Sequence, residues 1–347
     1  MTVCVVGNFG DGVSQVTDGQ RIKTVELYRA LVKHYGENEV SFVNLHSKKK
    51  ILLAFKLLLA LLRNKNLIVL VAANGRKTVI PLLVIMNCLF HRKIYHSLIG
   101  STTHETLEEC PKLIPVFNRL AGNWTETSIE TEQLIKLGLN NVCLIKNFKQ
   151  LPILSDEQMV FQTKEPFRFC TFSRIEELKG FPDVINAIKE INLCYGRTVC
   201  ELDIYGKVQD DYQETFDLLQ QKFGPAVRYK GVVDFDKSIE TIKNYYMLIF
   251  PTRYYTEGIP GTVLDALASG VPVLSSEWGA CFDILDHEMA VIYPFDQYSA
   301  LVESIQYAVE NPEKINMMKK RCLEAAIAYS PSEVVRTIAD ILEGGNR

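Results

Sequence analysis

Short runs of β-branched and other apolar residues recur along the chain: Val3–Val6, Ser41–Asn44, Leu67–Val71, Lys93–Leu98, Val142–Ile145, Arg168–Phe172, Glu201–Tyr205, Val227–Tyr229, Met247–Phe250 and Val271–Leu274. Helix-patterned stretches separate most of them. This alternation predicts parallel sheets joined by crossover helices, an α/β fold. The turn-forming segment Asn147–Asp156 interrupts the series after a strand. A boundary there gives two Rossmann-like domains, residues 1–150 and 151–330. Residues 331–347 then form a terminal segment. In it Ser330-Pro331-Ser332-Glu333 reads as a capping box with proline at the first helical position, leading into a helix over Val334–Leu342. That helix is expected to return to the first domain.

Composition supports this picture and adds an asymmetry. At 347 residues, 47% apolar and 23% charged, the chain is of ordinary globular type with room for two domains. Disorder, a collagen-like chain and a disulfide-dense mini-protein are excluded. The net charge of −3 argues against nucleic acid as a partner of the whole molecule. Residues 1–150, however, carry 19 Lys/Arg against 11 Asp/Glu, and no acidic residue lies between Glu39 and Glu105, where ten Lys/Arg do. Such a surface favours anionic partners. Nine scattered cysteines without a C-x-x-C pair suit reduced thiols and a cytoplasmic protein. The opening MTVCVVGNFG reads as a buried strand rather than a signal peptide. The apolar stretches Ile51–Leu62 and Val79–Phe90 fall short of the roughly 20 residues that span a bilayer.

Two segments carry the chemistry. Phe250–Gly270 ends a strand, passes through Glu257-Gly258, and opens a helix at Ile259-Pro260-Gly261-Thr262, with Asp265 inside it and Ser269-Gly270 closing it. A helix N-terminus built from small residues leaves backbone N–H groups for a phosphate. Glu257 before this cradle and Asp265 beyond it are placed to grip the sugar and the ribose of one nucleotide-sugar; a plain strand–loop–helix with a capping acid would show much the same local pattern. Earlier, Ser173-Arg174-Ile175-Glu176-Glu177-Leu178-Lys179-Gly180 follows a strand. Cations five residues apart, Arg174 and Lys179, can neutralise a diphosphate without a metal. Taken alone, that stretch also reads as a solvated turn with Glu176 and Glu177 as partners.

Together these segments resemble retaining glycosyltransferases of family 4, which have the GT-B fold: two Rossmann-like domains with parallel sheets facing across a cleft. Glu257-x7-Asp265 is similar to the family's E-x7-E, with Asp in place of the second Glu, and the Arg174–Gly180 stretch is similar to its GR-x4-KG, with Ser173 for the leading glycine. The resemblance implies that Glu257 meets donor-sugar hydroxyls, that Asp265 meets the ribose, and that Arg174 and Lys179 stabilise the leaving nucleoside diphosphate. Gly258, Ile259, Pro260, Gly261 and Thr262 would line the donor phosphates. Val227–Val233 is similar to the strand and turn facing the nucleobase, which brings in Val233. In the first loop, Gly7-Asn8-Phe9-Gly10-Asp11-Gly12 through Asp18-Gly19-Gln20, Gly19 is the best match to the glycine before the first helix. Residues 1–150 would bind the acceptor and 151–330 the donor. The family's H-G or H-D pair after the fourth strand is missing here, and His96 and His104 are the nearby histidines. A lone strand histidine is more often a core group than a catalyst.

The implied activity is metal-independent transfer of a sugar, with retention, from a nucleotide-sugar, a UDP-sugar first among candidates. No cofactor is implied. The acceptor would be polyprenyl-diphosphate-linked or a saccharide, in bacterial capsule, O-antigen or exopolysaccharide assembly. Lys48–Lys65 fits this: Lys49, Lys56 and Arg63 repeat every seven residues beside a broad apolar face, as in a helix lying on anionic lipid at the inner membrane face. A core helix with snorkelling lysine stems is the alternative. Asp234-Phe235-Asp236 is read as the start of the helix Lys237–Lys243, with Asp236 as its N-cap rather than a metal ligand. A non-catalytic sugar- or nucleotide-binding assembly subunit of the same fold, or an NAD-type oxidoreductase, are the competing readings. The weak glycine fingerprint and the Glu257–Asp265 unit count against the latter.

Overall fold

A computed structural model of the chain describes residues 2–10, 19–46, 50–98 and 103–344. The chain forms two compact units, residues 1–150 with 330–347, and residues 151–329.

In unit 1 the chain runs β1 (Val3–Gly7), α1 (Gly19–Tyr35), β2 (Val40–Asn44), α2 (Lys50–Arg63), β3 (Asn66–Val69), α3 (Ala73–Asn87), β4 (Lys93–Ser97), α4 (Thr103–Glu109), α5 (Ile114–Phe117), β5 (Gly122–Thr125), α6 (Ser128–Lys136) and β6 (Val142–Leu144). All six strands pair in parallel in the order β2-β1-β3-β4-β5-β6. β1 and β3 are buried at every residue because helices cover both faces. Leu57, Ala60 and Leu61 of α2 share one core cluster with Ile80, Leu83 and Val84 of α3.

Unit 2 repeats the plan: β7 (Phe167–Phe172), α7 (Phe181–Tyr195), β8 (Cys200–Tyr205), α8 (Gln213–Gln220), β9 (Val227–Gly231), α9 (Ser238–Ile242), β10 (Met247–Phe250), α10 (Gly261–Ala268), β11 (Val273–Ser276), β12 (Ala290–Tyr293), α11 (Tyr298–Glu310) and α12 (Pro312–Ile327). Its parallel sheet has the order β12-β11-β10-β7-β8-β9. The last helix, α13 (Pro331–Glu343), belongs to unit 1. Ser330 caps it through the Glu333 N–H, and Val334, Val335, Ile338 and Leu342 pack with Leu27 and Leu31 of α1.

Three features differ from the sequence reading. Gly122–Thr125 and Ala290–Tyr293 are strands, although four residues, two of them polar in the first case, are too few to stand out as a β pattern. Asp236 is not an N-cap: the chain first makes a 3-10 turn, Phe235–Lys237, closed by the Lys237 N–H on the Asp234 carbonyl at 2.9 Å, and α9 begins only at Ser238. β11 starts at Val273, two residues later than the apolar run.

A polar knot ties three strands of unit 2. Asp203, 1% exposed, accepts from Arg228 Nε (2.7 Å), Arg168 (3.3 Å) and the Tyr245 hydroxyl (2.7 Å), while Arg228 also meets Glu201 at 2.6 Å. Burial opposes the charge, but these donors outweigh it and hold the Asp203 carboxyl below its ordinary range. Asp203→Asn is therefore expected to lower unfolding free energy at pH 7 by about 3 kcal/mol. The folded pKa is depressed, so this contribution is present above the unfolded carboxylate value and is lost as pH falls through the folded one. Urea titrations of both proteins between pH 7 and pH 3 should show the gap between them closing on the acid side.

Candidate functional site

The two chemistry-bearing segments leave neighbouring strands. β7 and β10 pair in parallel at the middle of the sheet, and their connections run to opposite sides, one to β8 and the other to β11. This is a topological switch point, where open parallel sheets form a crevice at the carboxyl ends of their strands.

After β7 the chain makes one 3-10 turn, Glu177–Lys179, and reverses at Gly180, whose φ is 68°. A Cβ on Gly180 would lie 2.1 Å from the Pro251 carbonyl oxygen, so the turn is pressed against the exit of β10. Gly206, just past β8 with φ 144°, makes the same approach to Ser173, whose oxygen a Cβ would meet at 1.7 Å. Only glycine tolerates both the backbone angle and the contact.

This closure brings together side chains 78 residues apart. Lys179, 8% exposed, forms an ion pair with Glu257, and its ammonium lies 5.8 Å from the Phe250 ring centre. The buried Thr252 hydroxyl donates to the same Glu257 oxygen at 3.4 Å. Ser276 donates to the Thr252 carbonyl at 2.7 Å and Ser275 to that of Phe250 at 3.2 Å, so β11 fixes the path of the β10 exit. Such a carboxylate partner offsets the cost of burying the ammonium. Arg174 is not part of the pair: it is largely exposed, 3.6 Å from Glu176.

Gly258 is half-buried, and Ile259 and Pro260 are buried, as they lead into α10. Pro260 occupies the N-cap without a side-chain cap; its carbonyl accepts the Val263 N–H at 3.1 Å, and no side-chain oxygen caps the N–H groups of Gly261 and Thr262. A Cβ on Gly261 would touch nothing within 4 Å, and the Thr262 hydroxyl is buried without a hydrogen-bond partner. Asp265 is buried, three residues on and thus on the same helix face as Thr262. Uncapped N–H groups, a hydroxyl and the Lys179 ammonium are donors for an anion, and the carboxylates of Glu257 and Asp265 are acceptors for its hydroxyls. Val233, like Phe172, packs half-buried against the cluster that includes Tyr205 and Phe250.

The unit 1 candidates are placed differently. Gly19 opens α1; Asp11, Gly12 and Asp18 lie outside the described residues, as do Lys48 and Lys49. Gly10 (φ 69°) is covered by Arg21, and Asn44 holds the loop by bonds to Phe9 and Gly10. His96 is a core residue rather than a catalytic candidate: it is 0% exposed in β4, between Val69 and Asn123, edge-on to Phe117. Burial first, and then Arg76, push its pKa down to about 3, so it is neutral and out of reach of any ligand. His104 is 13% exposed, with Nδ1 2.9 Å from a Glu130 oxygen; the other Glu130 oxygen accepts the Thr103 and His104 N–H groups. Among the described residues no group of three His, Cys, Asp or Glu side chains could hold a metal ion.

Residues 155–324 match the family model of glycosyl transferases group 1, a span lying inside unit 2 and filling most of it. Unit 2 is therefore similar to a group 1 glycosyl transferase domain. Solved structures extend the likeness to the whole chain. Anabaena HepE, in complex with UDP, is 12% identical with a TM-score of 0.74, covering 99% of this chain and 100% of that one. The lipopolysaccharide outer core galactosyltransferase WaaB is 14% identical with a TM-score of 0.71, covering all of both chains. Sucrose-phosphate synthase from Thermosynechococcus elongatus is 13% identical with a TM-score of 0.68, covering 99% and 98%. At these identities the likeness establishes the fold, which is GT-B. No curated protein matches by sequence.

Thr252 was not singled out by its pattern. A hydroxyl aimed at Glu257 depends on the path of the loop after β10.

Gly180→Ala is expected to destabilise the protein by about 2 kcal/mol or more, through the left-handed angle and the Pro251 contact. Gly261→Ala, in open space within a helix, should be neutral or stabilising. Urea denaturation of the two variants side by side checks the contrast.

Proposed function

We propose that the protein transfers a sugar from a nucleoside-diphosphate sugar to a hydroxylated acceptor, with retention and without a metal. The observation that carries this reading is the meeting of Lys179 with Glu257 beside the uncapped start of α10. The group 1 match in unit 2 supports the reaction class, and HepE structures with UDP and with UDP-glucose support a UDP-sugar donor.

In the proposed reaction the bond between the sugar C1 and the diphosphate oxygen breaks, and its electron pair leaves with the nucleoside diphosphate. Lys179, Arg174 and the N–H groups of Gly261 and Thr262 offset that developing charge, the main electrostatic contribution to rate. Thr262 supplies a hydroxyl to a phosphate oxygen. Glu257, held by Thr252, accepts from sugar hydroxyls and fixes the ring; Asp265 accepts from the ribose. The acceptor hydroxyl attacks on the face the diphosphate leaves, since Glu257, the carboxylate against Lys179, is already committed to an ion pair. The acceptor hydroxyl gives its proton to the departing diphosphate oxygen on that same face.

We place the acceptor on lipid or saccharide, in bacterial surface-polysaccharide assembly, with unit 1 against the inner membrane face. In support, α2 leaves Ile51 (89%) and Phe55 (56%) exposed beside the exposed Lys56 and Arg63, and Ile85 (69%) of α3 and Leu89 (81%) beyond it are bare too. No helix among the described residues is long and apolar enough to cross a membrane.

In thermal melts with EDTA present, one nucleoside diphosphate among UDP, GDP, ADP, CDP and dTDP should raise the melting temperature, since ligand at 100 times Kd adds about 2.7 kcal/mol. Response to NAD alone would point to the oxidoreductase. Glu257→Ala should lower turnover of the matching nucleotide-sugar about a hundredfold or more; near-normal transfer would contradict its role. Sedimentation with phosphatidylglycerol vesicles should fall when Lys56 and Arg63 are both changed to Glu, and unchanged binding would remove the electrostatic part.

A further inference from the structure

One cation at the carboxyl edge of the unit 2 sheet is left unused by this mechanism. Arg253 follows Thr252 in the exit of β10. Its backbone N–H donates to the Leu178 carbonyl at 2.8 Å, inside the turn that carries Lys179. Its guanidinium meets Asp183, in the first turn of α7, at 2.6 Å, and Asp296, past β12, at 3.4 Å. Asp296 is one of two described non-glycine residues with positive φ, at 55°. Burial pushes the Asp183 carboxyl up, and Arg253 opposes that shift. Elsewhere the loop is anchored through Tyr255, whose carbonyl accepts the Gly279 N–H and whose ring lies edge-on to Phe295.

We infer that Arg253 is a positioning residue: it clamps the β10 exit, which presents Glu257, to the turn after β7, which presents Lys179, so that one diphosphate-sugar meets both. The inference rests on the transferase reading. The geometry follows from the sheet order. β10 lies between β7 and β11, and its exit must be tied laterally for residues on different loops to share a ligand. Glycine at 180 permits the close approach, and Arg253 holds it from the solvent side. Arginine suits the task because its fork reaches two carboxylates at once. Lys179 would address the diphosphate and not the nucleoside, so loss of the clamp should affect phosphate recognition selectively.

The test uses the full chain with Arg253→Gln, Arg253→Lys, Asp183→Asn and the Arg253→Gln/Asp183→Asn double variant. Calorimetric titration with UDP should show affinity about tenfold weaker in Arg253→Gln, the scale of one lost charge-assisted contact, with UMP affinity unchanged. Asp183→Asn should reproduce that loss, the double variant should be no weaker than the weaker single, and Arg253→Lys should recover part of it. Hydrogen exchange should quicken in peptides covering residues 173–182 and 251–260 of Arg253→Gln and stay unchanged in unit 1. Equal losses for UDP and UMP, additive losses in the double variant, or a normal Asp183→Asn beside a weakened Arg253→Gln would overturn the clamp. If the wild type binds neither UDP nor UMP, the donor assignment fails instead; hydrogen exchange then still decides, and unchanged exchange in Arg253→Gln rejects the clamp.

Discussion

The arrangement of unit 2 turns on one buried ammonium. Lys179 sits at 8% exposure on a turn with no acid of its own in reach, and the partner that permits this, Glu257, comes from a different strand exit. For the two to meet, β7 and β10 must be neighbours, the turn after β7 must reverse within three residues, and the chain must pass against Pro251. Gly180 meets the last two demands at once, with its left-handed angle and missing side chain. The hydroxyls of Ser275 and Ser276 then fix the facing segment by bonding the Phe250 and Thr252 carbonyls at the sheet edge.

The same logic explains why the chemistry gathers at the carboxyl edge. Along the strands, both faces are covered and side chains are spent on packing; Leu248, Val263, Leu264 and Val273 are essentially buried. Beyond the strand ends, backbone groups run out of ladder partners. The start of α10 presents N–H groups with no capping side chain, and Thr262 adds a buried hydroxyl with no partner. A fold that buried polar groups in this way without a ligand to receive them would carry a cost and gain nothing from it. That imbalance is the physical argument for an anionic, hydroxyl-bearing ligand.

Much of this was legible in the sequence, because the α/β alternation has two clear periods and the glycine–acid spacing around residues 257–265 is compact. The class of fold, the ends of β7 and β10 and the start of α10 follow from local pattern. What stayed hidden is non-local. That Lys179 pairs with Glu257 rather than with Glu176 or Glu177 is decided by sheet order. Arg174 and Lys179 form a symmetric pair of cations in the sequence, yet one is buried and paired while the other is exposed. β5, reading Gly-Asn-Trp-Thr, is a strand because its neighbours make it one; its Asn123 bonds the Phe117 carbonyl and Asn141 rather than showing a β preference. His96, a lone strand histidine whose pattern already favoured a core role, is fully buried.

The central claim is that Lys179, Glu257 and the start of α10 form one site for a nucleoside diphosphate and its sugar. The most direct measurement is a crystal structure of the protein soaked with UDP. The account predicts the β-phosphate within hydrogen-bond distance of Lys179 Nζ and of the Gly261 and Thr262 N–H groups. UDP bound elsewhere, with the Lys179–Glu257 pair untouched, would contradict it.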